Sequence, residues 1–159
     1  MQAASISLRS ETTEDEPFLR DLYLSVRDCE TGIRELDPGA RTRLLQEQFQ
    51  FQRSDYRLRY PHANFLIVQA NEQPAGRFYL NHAADSIHVI DISLLPEFQG
   101  HGVGSTLIRT VQAEARRSGR AVTLFAHPRR AGSGFYQRLG FVQKSVLGEH
   151  AALRWQAAG

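Results

Sequence analysis

The chain has 159 residues, 42% hydrophobic and 23% charged, which is enough for one soluble domain with a real core. Its 19 Lys+Arg and 17 Asp+Glu leave a formal charge of only +2, which argues against nucleic acid or a membrane surface as a general partner. Cys29 is the single cysteine, so no internal disulfide can form, and without an apolar leader or a membrane-length apolar run a cytoplasmic location is expected.

Ser5 to Arg9 alternates as a short strand does. Thr12 or Thr13 then precedes Glu14, Asp15 and Glu16, acids that complement the start of a helix. Phe18, Leu19, Leu22, Leu24 and Val26 give that helix an apolar face to about Arg27. Residues 29–40, with Gly32, Pro38 and Gly39, read as a loop. A second helix is predicted from Arg41 to about Tyr56, burying Leu44, Leu45, Phe49 and Tyr56. Pro61 stops it. Strands follow at Phe65–Ala70, Gly76–Leu80 and Ile87–Leu94, with a turn at Asn71–Pro74, and together they predict an antiparallel meander.

From Val103 the apolar period becomes helical through Leu107, Ile108, Val111 and Ala115, with Gly119 at the C-cap. A strand (Ala121–Phe125), a short helix near Gly134–Leu139 and two strands (Val142–Leu147 and Ala151–Trp155) complete the chain. Neither repeats nor low-complexity segments interrupt it. The predicted class is α/β (α+β): one domain over residues 1–159, with a mixed, mostly antiparallel twisted sheet flanked by helices.

Between a strongly apolar strand and a helix lies QGHGVG, with alternating Gly100, Gly102 and Gly104. A strand, a glycine turn and a helix start aim backbone N–H groups at an anion. A dinucleotide fingerprint fails, because its third glycine would fall on Ser105 and no acid ends the next strand. The P-loop fails for want of Gly-Lys-Ser/Thr. Ser133 is not in G-x-S-x-G, and the six histidines lack metal-ligand spacing, so neither a hydrolase elbow nor a metal is expected.

Gln99-Gly100-His101-Gly102-Val103-Gly104 resembles the acyl-CoA signature of the GNAT superfamily of N-acetyltransferases. GFYQRLGF (Gly134–Phe141) is similar to that superfamily's C-terminal motif, and the order of elements agrees along nearly the whole chain. The resemblance implies acetyl-CoA as cosubstrate. It assigns the CoA pyrophosphate to Gly100, His101, Gly102, Val103, Gly104 and Ser105, with Gln99 shaping the loop. It assigns the pantetheine arm to a bulged strand end at Ile92, Ser93 and Leu94, where an amide near Leu94 could polarise the thioester carbonyl.

In that family a tyrosine acts as acid toward the departing thiolate, and Tyr136 matches it; on its residues alone it reads rather as a packing tyrosine. An alkylamine, with a pKa near ~10.4, must lose a proton before it attacks. His88 stands where several members carry a base, and an imidazole with its ordinary pKa near ~6.5 suits that work. A merely hydrogen-bonded strand histidine, Asp91 as the base, or a water chain are the alternatives. Arg129 and Gly132 replace a family asparagine and alanine, and Arg129 with Arg130 reads as surface charge or as a phosphate contact.

The expected partners are acetyl-CoA and a primary amine acceptor, small molecule or peptide, with a homodimer allowed. For the acceptor, Glu30, Glu35 and Asp37 offer negative charge, and Phe49, Phe51, Tyr56 and Tyr60 offer apolar walls. The rival reading is a non-catalytic acyl-CoA-binding sensor or interaction module.

Overall fold

The computed structural model describes residues 5–27, 35–126, 134–148 and 150–158. Its elements in chain order are β1 (Ile6–Ser10), a 3-10 turn (Thr13–Asp15), α1 (Glu16–Arg27), α2 (Pro38–Arg59), β2 (Asn64–Ala70), β3 (Gln73–His82) and β4 (Ser86–Leu94). A second 3-10 turn (Pro96–Phe98) leads to α3 (Val103–Ser118), β5 (Ala121–Ala126), α4 (Phe135–Arg138), β6 (Val142–Leu147) and β7 (His150–Trp155). The strands form one seven-stranded sheet in the order β1-β2-β3-β4-β5-β7-β6. Strands β4 and β5 pair in parallel, as the intervening helix α3 requires. This is the mixed, mostly antiparallel sheet with flanking helices that the sequence predicts.

Contacts divide the chain into two compact units, Met1–Tyr79 with Ile92–His101, and Leu80–Asp91 with Gly102–Gly159. In the first, Leu19 and Tyr23 of α1 meet Leu45 and Phe49 of α2 and Ile67 of β2 in one buried cluster. The Tyr23 and Phe49 rings lie 5.7 Å apart and tilted, a favourable aromatic geometry. Leu44 and Tyr56, expected in that face, are only half-buried.

Helix α2 begins three residues earlier than predicted, inside the expected 29–40 loop. Asp37 caps it, its side chain accepting from the Ala40 N–H at 3.0 Å, and Pro38 takes the first helical position, where a missing N–H costs nothing. The expected turn of four residues contracts to Asn71 and Glu72, both at positive φ (51° and 68°), the conformation of a tight hairpin turn.

Charge holds the same unit together. The Glu11 carboxylate, 2% exposed, accepts from Arg57 at 2.6 Å and from the Tyr79 hydroxyl, with Arg53 at 3.5 Å. A buried carboxylate is tolerable only with such partners. Nearby, Arg9 meets both oxygens of Asp15 at 2.8 and 2.7 Å, and the Thr12 N–H donates to the same carboxylate at 2.8 Å.

In the second unit α3 packs on β5, and Val103, Leu107, Ile108, Val111 and Ala115 are its buried face. Ile87 and Val89 of β4, Val122 and Leu124 of β5, and Ala151, Leu153 and Trp155 of β7 are buried in alternation. Gly119 ends α3 at φ 69°, with its N–H donating back into the last turn, as a left-handed C-cap does. Strand β6 is exposed at all six positions and pairs only with β7, through a bulge between Gln143 and Ser145.

The Arg9 hydrogen bonds, aided by Thr12 and opposed by burial, hold the Asp15 carboxyl down at about 2. A depressed folded-state pKa stabilises the fold above the ordinary carboxylate value of about 3.9 and is lost as pH falls toward 2. Asp15→Asn is therefore expected to cost on the order of 1 kcal/mol near neutral pH, discounted for the partial exposure of Arg9. In thermal melts the gap between variant and wild type should close as pH is lowered from about 4 toward 2.

Candidate functional site

The glycine turn is built by two left-handed residues. Gly100 has φ 76° and Gly102 has φ 82°, and a Cβ on either would meet nothing within 4 Å. Backbone conformation, rather than lack of room, requires glycine at these two positions. Gly104 differs. It lies inside α3 without positive φ, and its Cβ would sit at an ordinary 3.6 Å from Phe135 Cζ.

Gly102 is the N-cap of α3, so no side chain closes the helix start, and the first turn contains no acid. The N–H groups of Val103, Gly104 and Ser105 fall among the first-turn donors that have no partner inside a helix. Thr106 is the first to bond back, its N–H donating to the Gly102 carbonyl at 3.0 Å. A 16-residue helix with this uncapped end carries the partial positive charge that an anion seeks. Upstream, the Gln99 side-chain N–H donates to the Leu94 carbonyl at 2.9 Å, which ties the loop to the strand it leaves.

The strand end carries the expected irregularity. The β3–β4 hairpin starts with the Ala83 N–H donating to Ser86 and arrives with the Leu95 N–H donating to Ala75 at 2.8 Å. That is eight residues along β3 but nine along β4, so β4 holds one residue too many for a regular ladder. Beyond Val89 the alternation of burial disappears, and Ile90 through Leu94 are all half-buried.

Helix α4 seats Tyr136 between aromatic neighbours, with the Phe135 ring at 4.9 Å and the Phe141 ring at 5.6 Å, both near-perpendicular. The side chain of Gln112, on the buried face of α3, donates to the Leu139 carbonyl at 2.8 Å and holds the end of α4. Burial first, and then the charge of Asp91, push the Tyr136 hydroxyl up to about 12. The phenol therefore keeps its proton at neutral pH.

His88 has different company. Its Nδ1 hydrogen-bonds the Thr123 hydroxyl at 2.9 Å and its ring stands edge-on to Phe125 at 5.4 Å. Residues 87 and 89 are buried on the opposite side of β4 from His88, whereas Asp91, beyond the point where that alternation stops, is half-buried. The influence of Asp91 on Tyr136 is a feature that no local motif announces.

A cleft of about 450 Å³ lies in the first unit, lined by Tyr23, Arg27, Gln48, Phe51, Gln52 and Tyr56, with the carboxylates of Glu47 and Asp55. Phe51 and Tyr56 are thus walls of this cleft. Phe49 is fully buried core, and Asp37 is spent on capping α2. Asp55 is paired with Arg59 at 2.5 Å. Glu30, Cys29, Arg129, Arg130, Gly132 and Ser133 lie outside the described residues. Among the described residues no group of three His, Cys, Asp or Glu could hold a metal ion, and no helix is long and apolar enough to cross a membrane.

Residues 61–143 match the family model described as acetyltransferase (GNAT) domain. A protein of Bacillus subtilis (strain 168), provisionally named a ribosomal protein bS18 alanine N-acetyltransferase, is 26% identical over 110 residues, 62% of this chain and 71% of that protein. The fold is similar to the PaiA N-acetyltransferase of Thermoplasma acidophilum, solved in complex with coenzyme A. The TM-score is 0.72 at 19% identity, over 96% of this chain and 99% of that one. A GNAT family acetyltransferase from Elizabethkingia anophelis, solved with acetyl-CoA bound, gives a TM-score of 0.62 at 14% identity, over 96% and 98% of the two chains.

The two kinds of glycine should separate on substitution. Gly102→Ala forces a left-handed alanine and is expected to cost about 1 kcal/mol in a thermal melt. Gly104→Ala, inside a helix and free of strain, should leave stability unchanged or raise it by up to ~1 kcal/mol. Equal destabilisation by the two would contradict this division.

Proposed function

The chain belongs to the GNAT acetyltransferase family, and from that premise we propose that it transfers an acetyl group from acetyl-CoA to a primary amine by direct attack, residues 1–159 acting as one catalytic domain in the cytoplasm. The observation that carries the proposal is the uncapped start of α3 behind two left-handed glycines, a donor set suited to a pyrophosphate. Acetyl-CoA supplies the acetyl thioester. The first-turn amides of Val103, Gly104 and Ser105, together with Gly100, His101 and Gly102, hold its pyrophosphate, while Gln99 fixes the loop to the Leu94 carbonyl. The backbone of Ile92, Ser93 and Leu94 takes the pantetheine arm as an added strand would be taken.

In the transfer, the amine nitrogen forms a bond to the acetyl carbon and the carbon–sulfur bond breaks. Tyr136 gives its proton to the leaving thiolate; its match to the family's tyrosine supports this role, and its phenol is protonated at neutral pH. His88 is proposed as the base that receives the amine proton, in competition with Asp91. The acceptor is a primary amine, small molecule or peptide. An N-terminal alanine is one amine to test first, because the Bacillus subtilis relative carries that name.

Release of free CoA from acetyl-CoA should be followed over a panel of alkylamines, polyamines and peptides with N-terminal alanine. Turnover on one of them is expected, with Tyr136→Phe lowering kcat by roughly 10²-fold or more while acetyl-CoA binding is retained. Tight acetyl-CoA binding without turnover on any acceptor would favour a sensor module instead, and a protein that acetyl-CoA does not stabilise thermally would overturn both.

The pH dependence of kcat/KM decides the base. An imidazole base predicts a rate that falls below about pH 6.5, and His88→Gln should abolish that limb. A limb that survives in His88→Gln excludes His88.

A further inference from the structure

Gly76 lies on β3, in the same unit as the Ser93–Leu94 end of β4. A Cβ at this position would stand 2.1 Å from the Ser93 carbonyl oxygen, 2.8 Å from Leu94 Cδ2 and 3.1 Å from Leu94 Cα. The first distance is far inside van der Waals contact, and its partner is backbone rather than a side chain that could swing aside. Positive φ is not the reason for glycine here, since Gly76 is absent from the left-handed set. The Ser93 carbonyl occupies the volume that any side chain at 76 would fill.

The consequence follows from peptide geometry. In a trans peptide the C=O of one residue and the N–H of the next point in opposite directions. With the Ser93 carbonyl turned over Gly76, the Leu94 N–H points away from it. One residue later the ladder resumes, the Leu95 N–H donating to Ala75 at 2.8 Å. The extra residue in β4 is therefore absorbed at the peptide that faces Gly76.

We propose that Gly76 is a positioning residue for acetyl transfer: its bare Cα accepts the Ser93 carbonyl and so aims the Leu94 N–H at the thioester carbonyl oxygen, where negative charge develops as the amine attacks. This rests on the acetyltransferase reading above. A methyl group at 76 must push the Ser93 carbonyl away, and the Leu94 N–H turns with it. The phosphate contacts of the glycine turn lie further along the chain, and any loss of pantetheine contacts at Ser93 and Leu94 falls equally on CoA and acetyl-CoA.

The test compares wild type with Gly76→Ala, titrating CoA and acetyl-CoA calorimetrically and measuring kcat and the acetyl-CoA KM with the panel amine that reacts fastest. The expected result is an affinity loss that is equal for CoA and acetyl-CoA and no more than about tenfold, with a kcat about 10²-fold lower, the size of losing one such donor. A kcat within threefold of wild type overturns the proposal, as does a loss of kcat matched by an equal loss of CoA affinity, which would mean general distortion.

If Gly76→Ala does not fold, wild-type protein carrying ¹⁵N-glycine decides the matter. The Gly76 amide resonance should move more with acetyl-CoA than with CoA, while Gly119 and Gly148 stay in place. Identical responses to the two ligands overturn the proposal. A wild type that neither binds acetyl-CoA nor turns it over removes the acetyltransferase reading, and this inference falls with it.

Discussion

The contact between the Ser93 carbonyl and the bare Cα of Gly76 is the constraint on which the end of β4 depends. Two backbones cannot come this close if either carries a side chain there, and neither can relax by changing a rotamer. The contact absorbs an extra residue, returns Leu95 to the ladder at Ala75, and leaves Leu94 with its carbonyl bound by Gln99. The glycine turn then starts from a fixed point. Each link is a backbone atom meeting a backbone atom or one amide side chain, so the arrangement tolerates little substitution at positions 76 and 99.

Electrostatics separates the groups that support the fold from the group suited to chemistry. Asp15 and Glu11 are buried carboxylates surrounded by arginine donors, and the arginine at Asp15 drives its pKa down. Asp15 therefore stays ionised at neutral pH. Tyr136 is treated in the opposite way: burial and the negative charge of Asp91 both oppose its ionisation. The phenol is therefore protonated at neutral pH. Desolvation without a compensating cation distinguishes this group from the structural ones.

Helix α2 shows how the same kind of residue divides between packing and recognition. Phe49 is core, stacked near Tyr23, whereas Phe51, two positions on, is 74% exposed at the wall of the cleft. The helical repeat turns these two side chains to different sides of the helix. Of 22 residues only Leu45 and Phe49 are buried, so the helix owes much of its placement to ion pairs and to Gln52, which accepts from Arg77 at 2.5 Å.

Most elements and the glycine turn were legible in the sequence because they are written in local terms: apolar period, capping residues, and glycines at positions that need positive φ. Gly100 and Gly102 could be picked out because left-handed backbone is a property of the residue itself. The start of α2 was misread because Pro38 and Gly39 look like loop residues until Asp37 is recognised as a cap. By itself the sequence determined the class of fold, the family and the position of the glycine turn. Only the tertiary structure decided that Phe49 is core, that the charge of Asp91 reaches Tyr136, and that Gly76 is bare to admit Ser93. Each of these depends on a partner 15 or more residues away, and no local pattern encodes a distance between segments that meet only when the chain is folded.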